Sequence, residues 1–539
     1  MTLALAPAFA TLVIFVAWSY HRAGYEANQW APGGLMVLGL LALSVWVLGR
    51  KVTEIPLRIR LALGSFGTYT AFSFLSVLWA SAPGEAFEGA NRTLVYLLVF
   101  ALFASWPLRA DGAALLLGAW VLAMVALAAY VLIRLDTATG VGLRELMPEG
   151  RLSYPSGYFN ANAAQSLMAF WPAALLARSG RVPWVLRGVL AGGAVLLAET
   201  ALLSQSRGSL FAMAAVLVLV FALLGGRRRT FALMAPIALG IGLAAPAVLA
   251  VGDHYRRGTV SAVDVHRATA GTLLASVAVG LLVAIWALIE TRTAFSEPVA
   301  RRIRKGTAVL ALATLITCTA TALAVAGNPA ARIQRSWHSF AEGRPPVSPD
   351  GSHLASLESA RYDYYRVALD EFIAHPLIGI GADNFGRQYL RHRHSTDAPR
   401  YPHSVELSIL TYTGLVGALL GMVGLVAALL AGAAAARSRP GADRLAGTVA
   451  AAALFGFAYW LIHGSVDWFW EIAGLGAPAI ALLGLACALA PRMQPNPDAV
   501  TVQTRGQGAT RVASHRLPVS VWVLLALASA ASLTTEWLR

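Results

Sequence analysis

Long apolar segments separated by short polar breaks dominate the pattern along this chain. Most of them have about the 20 residues that a helix needs to cross the hydrocarbon core of a bilayer. The pattern therefore predicts an all-α, polytopic transmembrane helix bundle of about 13–15 spans, with one large outer loop that contains an amphipathic helix. The fifteen candidate spans lie near residues 2–20, 31–49, 61–80, 93–108, 113–133, 159–177, 184–203, 209–226, 230–251, 268–290, 306–326, 404–431, 446–463, 472–490 and 517–535.

Composition agrees with the pattern. The chain is 57% hydrophobic and 13% charged, whereas a soluble domain has about 45–50% apolar and about 25% charged residues. So little charge excludes a water-soluble globule, a disordered chain and a coiled coil. The two cysteines, Cys318 and Cys487, both lie in apolar segments and predict no disulfide framework.

The basic residues indicate how the chain is oriented. The net charge is +15, but the arginines lie in short loops between apolar segments, which favours membrane orientation over nucleic-acid binding. The basic residues are more frequent in the loops that are cytoplasmic when the N-terminus is cytoplasmic. We expect that orientation, with residues 1–20 kept as a first span rather than cleaved as a signal peptide.

This pattern divides the chain into five parts. Spans 1–11 occupy residues 1–326, a large periplasmic or extracellular loop occupies 327–402, and spans 12–14 occupy 403–491. A cytoplasmic linker at 492–516 and a C-terminal span at 517–539 follow. In the loop, apolar positions at helical spacing predict an amphipathic helix over 357–374, at the membrane surface or capping the bundle.

Arginines near the outer ends of the spans are candidates for binding phosphate. Arg207 lies in a very short outer turn flanked by serine and glycine, and a guanidinium matches phosphate oxygens with paired donors. Arg361 lies at the start of the amphipathic helix and would form a two-pronged clamp for a diphosphate with Arg207. The alternatives are a snorkelling arginine at 207 and a solvated helix face at 361. Arg256 and Arg257 are secondary candidates with the same ambiguity.

His403 begins a second pattern, at the point where the large loop re-enters the membrane. A neutral imidazole at this boundary can accept a proton near neutral pH. Glu406 and Asp467 are secondary candidates, because either carboxylate would orient the imidazole or a sugar. Gly414 and Gly417 follow as a small-residue patch for close helix packing. A helix-start residue is the plain alternative for His403.

No motif in the sequence predicts a cofactor or a metal site. It contains no HExxH, no cysteine cluster, no P-loop and no GxGxxG between a strand and a helix. We therefore expect neither metal dependence nor nucleotide-driven transport.

At these residues the sequence resembles the O-antigen ligase and O-antigen polymerase (Wzy-C-type) membrane glycosyltransferases. The pair His403-Ser404, nine further residues, then Gly414 and Gly417 resemble the family signature. Further resemblances extend from about residue 70 to about residue 470. They are Arg361 to Phe385, Ser206-Arg207-Gly208, Gly157 to Asn162 and Ser76 to Ser81.

The resemblance implies an activity. Members of the family transfer a glycan from an undecaprenyl-diphosphate carrier to a lipid-anchored or growing glycan acceptor, at the outer face of the bacterial inner membrane. Carried onto this chain, Arg207 and Arg361 would hold the diphosphate, and His403 would act as the base on the acceptor hydroxyl. The expected partners are the lipid-linked donor, the acceptor and membrane lipid, with no nucleic acid. The chain has more predicted spans than the common twelve-span plan of the family.

Two kinds of alternative remain open. The first is a polymerase of carrier-linked repeat units or a protein O-oligosaccharyltransferase, since the same motifs fit a ligase to a lipid A-core type acceptor. The second is a lipid-glycan transporter or flippase, for which Glu199, in the outer half of its span, is the main candidate residue.

Overall fold

The computed structural model of the chain describes residues 5–48, 55–106, 108–292, 301–302, 305–306, 361–437, 444–491 and 519–539. These residues form seventeen α-helices and no strand, which confirms the all-α prediction. The helices are α1 (Ala6–Tyr20), α2 (Ala27–Leu48), α3 (Leu57–Leu75), α4 (Pro83–Ser105), α5 (Ala110–Asp136), α6 (Gly140–Leu146), α7 (Phe159–Ala177), α8 (Trp184–Leu203), α9 (Arg207–Leu223), α10 (Arg227–Arg256), α11 (Ala262–Arg292), α12 (Arg361–Ala374), α13 (Phe385–His392), α14 (Val405–Ala436), α15 (Arg444–Gly464), α16 (Ala473–Ala488) and α17 (Val519–Leu538).

Every predicted span within the described residues coincides with one of these helices. The bounds of α7 and α8 are those that the pattern predicts. Nine of the described helices are long and apolar enough to cross a membrane, and four shorter helices are apolar as well. The polytopic interpretation is therefore confirmed. The predicted span near 306–326, the first half of the large loop and the predicted linker at 492–516 lie outside the described residues.

The bundle has an inner and an outer set of helices. Most of α4, α7, α8 and α16 is buried by other helices, whereas α10 and α11 expose apolar side chains over much of their length. Helices α8 and α11 approach each other closely where glycines remove the side chains. A Cβ on Gly188 would lie 2.5 Å from the carbonyl oxygen of Gly280. Small residues allow such backbone contact between membrane helices, where dispersion contacts replace the hydrophobic effect.

Helix α14 is broken near its start. Gly414 has φ +59 and ψ −161, outside the helical region, and the loop that follows α12 fills the gap. In this loop, Ile380 N donates to the Thr411 carbonyl (3.0 Å) and Gly381 N to that of Tyr412 (3.0 Å). After the break, the helix donates to the loop: Leu415 N donates to the Pro376 carbonyl (2.8 Å) and Val416 N to that of Leu377 (3.1 Å). The loop thus replaces the backbone bonds that the break removes.

The break corrects the interpretation of Gly414 and Gly417 as a patch for helix packing. A Cβ on Gly414 would collide with the Leu377 backbone of the loop. One on Gly417 would meet the side chain of Thr413 in its own helix. Gly414 is glycine because the chain needs positive φ and close approach to the loop, so its close contact is with a loop and not with another helix.

A buried ion pair fixes the same loop to α4. Arg92 Nη2 lies 2.6 Å from Asp383 Oδ2, and both side chains are almost fully buried. The next residue, Asn384, accepts a hydrogen bond from Ala82 N (2.7 Å) and donates to the Ala82 carbonyl (3.3 Å). The start of α4 and the loop after α12 therefore form one unit at this end of the bundle, which we call the site end.

Helix α17 covers the outside of α2 and α4. Leu533 is fully buried beside Gly34, and Ser532 Oγ donates to Asn91 Oδ1 (2.7 Å). The last predicted span is thus a helix packed on the bundle.

Candidate active site at the site end of the bundle

Asp467 is the centre of the polar cluster at the site end. It lies in the turn between α15 and α16, fully buried, and its carboxylate accepts hydrogen bonds from Tyr158 Oη (3.0 Å), Asn160 Nδ2 (2.6 Å) and Trp468 N (3.0 Å). Burial raises the pKa of Asp467, but the charge of Arg361, together with His403, His463 and the Trp468 N–H, outweighs it and the net pKa is lowered. The carboxylate is therefore ionised near neutral pH.

Arg361, the first residue of α12, is the cation that pairs with Asp467. Its Nη2 lies 3.2 Å from Asp467 Oδ2, and its Nη1 donates to the Val466 carbonyl. Burial opposes the charge, but the Asp467 carboxylate raises the pKa of Arg361 above its usual value. The guanidinium side chain is 23% exposed and the carboxylate 1%, so the positive member of the pair is the one near the surface of the cluster.

His403 lies next to this pair, half-buried, just before α14. Its Nδ1 is 3.0 Å from the Tyr401 carbonyl. Because a carbonyl only accepts, Nδ1 carries the proton in the neutral ring, and Nε2 is the atom that can take another. Burial lowers the pKa of His403, the Asp467 charge opposes this, and the Arg361 charge adds to it. The imidazole is therefore neutral, and a proton acceptor, near neutral pH.

Aromatic rings hold the imidazole in place. The ring centroid of His403 lies 5.2 Å from that of Tyr364 and 6.2 Å from that of Trp468. Trp468 itself stacks on Tyr401 at 5.3 Å, the residue whose carbonyl binds Nδ1. In addition, Tyr365 Oη donates to the His403 carbonyl (3.2 Å). The φ of His403 is +61, a strained conformation that persists only where the surroundings enforce it.

The turn before Arg207, residues 204–206, also contacts residues near this cluster. Asn162 Nδ2 donates to Ser204 Oγ (3.1 Å). Ser206 caps α9, and its hydroxyl also lies 3.4 Å from Nε2 of the buried His463. A Cβ on Gly208 would lie 2.8 Å from the same Nε2. Arg207, between Ser206 and Gly208, is thus held beside His463 near the end of α15. His463 lies four residues before Asp467 in the chain.

Arg151 contacts the turn before Arg207 and lies near enough to Arg207 and Arg361 to be affected by their charges. It donates from Nε to the Ser204 carbonyl and from Nη2 to the Gln205 carbonyl, both at 3.2 Å. Its guanidinium lies over the ring of Phe159. Burial, with the neighbouring charges of Arg207 and Arg361, lowers the pKa of Arg151 to about 10. Arg151 therefore lies within electrostatic range of both Arg207 and Arg361, and of these three arginines Arg361 is the one whose charge acts on His403.

The secondary candidates occupy different positions. Arg256 donates to Gln205 Oε1 (2.9 Å) and pairs with Asp253, so its contacts are with the turn before Arg207. Arg257 is exposed at the end of α10. Glu406 accepts hydrogen bonds from the Ser404 hydroxyl (3.1 Å) and the Ser465 hydroxyl (2.7 Å), and the Tyr401 carbonyl, rather than a carboxylate, holds the imidazole.

Sequence reasoning missed four residues of the cluster. Arg151 and His463 each appear as one polar residue in a loop or at a helix end, and nothing local distinguishes them. Tyr158 and Asn160 lie in a segment that was noted only for its resemblance at the start of a span. The signal that was available is the density of polar residues from Ser153 to Asn162, just before a helix that is otherwise apolar.

Comparison with known proteins agrees with the predicted resemblance. Residues 261–422 match the family described as O-antigen ligase. This is less than a third of the chain, from α11 to residue 422 within α14, and it includes Arg361 and His403. No curated protein matches the chain. Together with the helices, the match indicates a multi-pass membrane protein with a glycosyltransferase-like function of the ligase or polymerase type, which would act on lipid-linked glycans.

Proposed function

We propose that this chain transfers a glycan from an undecaprenyl-diphosphate carrier to a lipid-anchored acceptor of the lipid A-core type, at the periplasmic face of the bacterial inner membrane. The observation that carries the proposal is the placement of His403 beside Arg361 and Asp467, with Arg151 and the turn of Arg207 adjoining them. A proton acceptor near a guanidinium, with further guanidiniums in the adjoining turn, is suited to displacing a phosphate leaving group.

The arginines act on the donor. When the bond between the sugar and the diphosphate breaks, negative charge grows on the leaving phosphate oxygen. The positive charges of Arg207 and Arg361 stabilise that charge, and Asp467 and the Val466 carbonyl keep Arg361 in position to do so. The donor brings its own leaving group, so the reaction as proposed uses neither a nucleotide nor a metal ion.

His403 acts on the acceptor. The hydroxyl proton of the acceptor passes to Nε2 while its oxygen forms a bond to the anomeric carbon of the donor sugar. The bond from that carbon to the phosphate oxygen breaks on the opposite side, and undecaprenyl diphosphate departs with the electron pair. This displacement inverts the anomeric centre. The Nδ1–H bond to the Tyr401 carbonyl stabilises the imidazolium that forms.

The test is reconstitution of the purified full-length chain in proteoliposomes with an undecaprenyl-diphosphate glycan. We expect a new glycosylated product by mass spectrometry, and its loss in Arg207→Ala, Arg361→Ala and His403→Ala at unchanged protein levels. Full activity in all three variants would overturn the proposal. Supplying a lipid A-core acceptor, a second carrier-linked glycan or a peptide in separate reactions distinguishes the ligase from the polymerase and from a protein glycosyltransferase.

A transporter is the competing class, and one observation favours it. Glu199 is fully buried in α8, and both of its carboxyl oxygens are without a hydrogen-bond partner among the described residues. Buried ionisable groups in membrane spans often mark transport pathways. The test uses vesicles that contain the protein and a carrier-linked glycan. A protein that moves the glycan between leaflets without cleaving it, and loses this movement in Glu199→Gln, would establish this class instead.

A further inference from the structure

Gln205, the residue two before Arg207, has an unusual backbone. Its φ is +45, in the left-handed region that a residue with a Cβ rarely adopts outside asparagine and aspartate. It is also 2% exposed. A strained conformation of this kind persists only when its surroundings determine it, so the contacts of Gln205 indicate what the turn is built to hold.

Two arginines from different parts of the chain hold Gln205. Arg151 Nη2 donates to its backbone carbonyl (3.2 Å), and Arg256 Nη1 donates to its side-chain Oε1 (2.9 Å). Arg256 is oriented in turn by its ion pair with Asp253. Helix α10 also makes room for the side chain, because a Cβ on Gly252 would occupy the position of the Gln205 amide.

The backbone conformation of Gln205 affects the position of Arg207, which is two residues later. Ser206 follows Gln205 and caps α9, its hydroxyl accepting from Ser209 N (3.3 Å). Because α9 begins at Arg207, the dihedral angles of Gln205 fix both where the helix starts and the direction in which the Arg207 side chain leaves the backbone. A turn with ordinary negative φ at this position would direct the arginine elsewhere.

We propose that Gln205 is a positioning residue that aims Arg207 at the diphosphate of the lipid-linked donor, and that Arg256 acts on Gln205 rather than on the substrate. The inference rests on the proposed function of Arg207. It assigns the turn between α8 and α9 a specific part in donor binding: orientation of a cation before the ligand arrives, which reduces the entropy lost on binding.

The experiment measures binding of undecaprenyl diphosphate without a glycan to the full-length chain in nanodiscs. We expect Gln205→Ala to weaken binding by about tenfold to a hundredfold, the effect of losing a hydrogen bond to a charged group. Asparagine tolerates positive φ and keeps the amide, so Gln205→Asn should restore most of the affinity. Gln205→Gly accepts the backbone angle but lacks the amide, so it isolates the contribution of the Arg256 bond.

Two matched pairs separate positioning from general disruption. Gly252→Ala displaces the Gln205 amide and should weaken binding, whereas Gly242→Ala, with open space around it in the same helix, should not. Arg256→Gln should weaken binding, whereas Arg267→Gln removes the same charge from an exposed position on α11 and should leave it unchanged. Thermal unfolding of each variant shows whether it is folded.

A double-mutant cycle decides the inference. If Gln205 acts through Arg207, then Gln205→Ala combined with Arg207→Ala binds as weakly as Arg207→Ala alone, within about twofold. Affinity losses that add in full, or a Gln205→Ala variant that binds within about twofold of the unmodified protein, would overturn it. If Arg207→Ala itself binds normally, the proposed function of Arg207 has failed, which is a distinct result.

Discussion

Two of the arginine–aspartate pairs near the site end, Arg92–Asp383 and Arg361–Asp467, differ in exposure. Arg92 and Asp383 lie 2.6 Å apart, with 1% and 2% of their side chains exposed. Arg361 and Asp467 lie 3.2 Å apart, with 23% and 1% exposed. Each pair joins a loop to a helix, but only the second presents its guanidinium near the surface.

The two pairs also differ in how many of their polar atoms form hydrogen bonds. Asp467 has Tyr158, Asn160 and the Trp468 amide as further donors. Arg92, in contrast, has two side-chain nitrogens, Nε and Nη1, with no hydrogen-bond partner among the described residues. The comparison teaches that burial alone does not mark a functional charge: the sealed pair joins the loop to α4, and the partly exposed pair, with more hydrogen bonds, is the one that we propose acts on a ligand.

The largest expected effect is on the sealed pair. Arg92→Met leaves a buried carboxylate without its cation, which costs about 3–5 kcal/mol of stability, and thermal unfolding in detergent should show it. Arg92→Met combined with Asp383→Asn removes both charges and should recover much of that loss. An Arg92→Met protein as stable as the unmodified chain would show that the pair does not hold the loop to α4.

The next effect is on catalysis, at the exposed pair. Arg361→Gln removes the charge that we assign to the leaving group, so the transfer rate should fall by about 10²–10³, with far less loss of stability than Arg92→Met. Arg361→Lys keeps the charge and should retain part of the rate. Both are measured as product formed per unit of reconstituted protein. Unchanged transfer by Arg361→Gln would remove the functional distinction between the pairs.

The pH profile sharpens the assignment of charges. His403 must be neutral to accept a proton, and its lowered pKa places the acidic limb of the rate below pH 6.5, the ordinary histidine value. Removing Arg361 takes away a charge that lowers this pKa, so Arg361→Gln should move the limb to higher pH. Asp467→Asn should move it to lower pH. Shifts of equal sign in the two variants would contradict the arrangement.

The smallest expected effect is at Glu406, the acidic neighbour outside both pairs. Its carboxylate is exposed and accepts hydrogen bonds from two serine hydroxyls. An exposed hydrogen bond contributes about 1 kcal/mol or less, so Glu406→Gln should change the transfer rate by about fivefold at most. A loss comparable to that of Arg361→Gln would place Glu406 in the catalytic cluster.

The spans were predictable from the sequence because apolar length is a local property. Helices α7 and α8 have the predicted bounds, and the amphipathic helix predicted at 357–374 is described from Arg361 to Ala374. The break at Gly414 was not predictable, because no proline or charged residue between Leu407 and Ala436 marks it and the span continues through it. What breaks the helix is a loop some 35 residues earlier in the chain, and no local pattern records that contact.

The site was predictable only in part, for a related reason. Arg207, Arg361, His403 and Asp467 stand out as polar residues beside apolar spans, and the structure brings them to one end of the bundle. Their catalytic and binding roles stay predictions. Gln205 and Arg151 are recognised only by their backbone geometry and long-range hydrogen bonds, so their identity as glutamine and arginine carries little local signal.

Because the helix is broken at Gly414, the number of residues between His403 and Gly414 determines the distance from the imidazole to the break. From Ser404 to Gly414 the chain rises about 15 Å, at about 1.5 Å per residue, and the loop bonds at Thr411 and Tyr412 fix the lower end of that length. The interval therefore sets how high the imidazole stands above the bend. Four extra residues in it would raise the imidazole by about one turn, 6 Å, away from the Arg361–Asp467 pair.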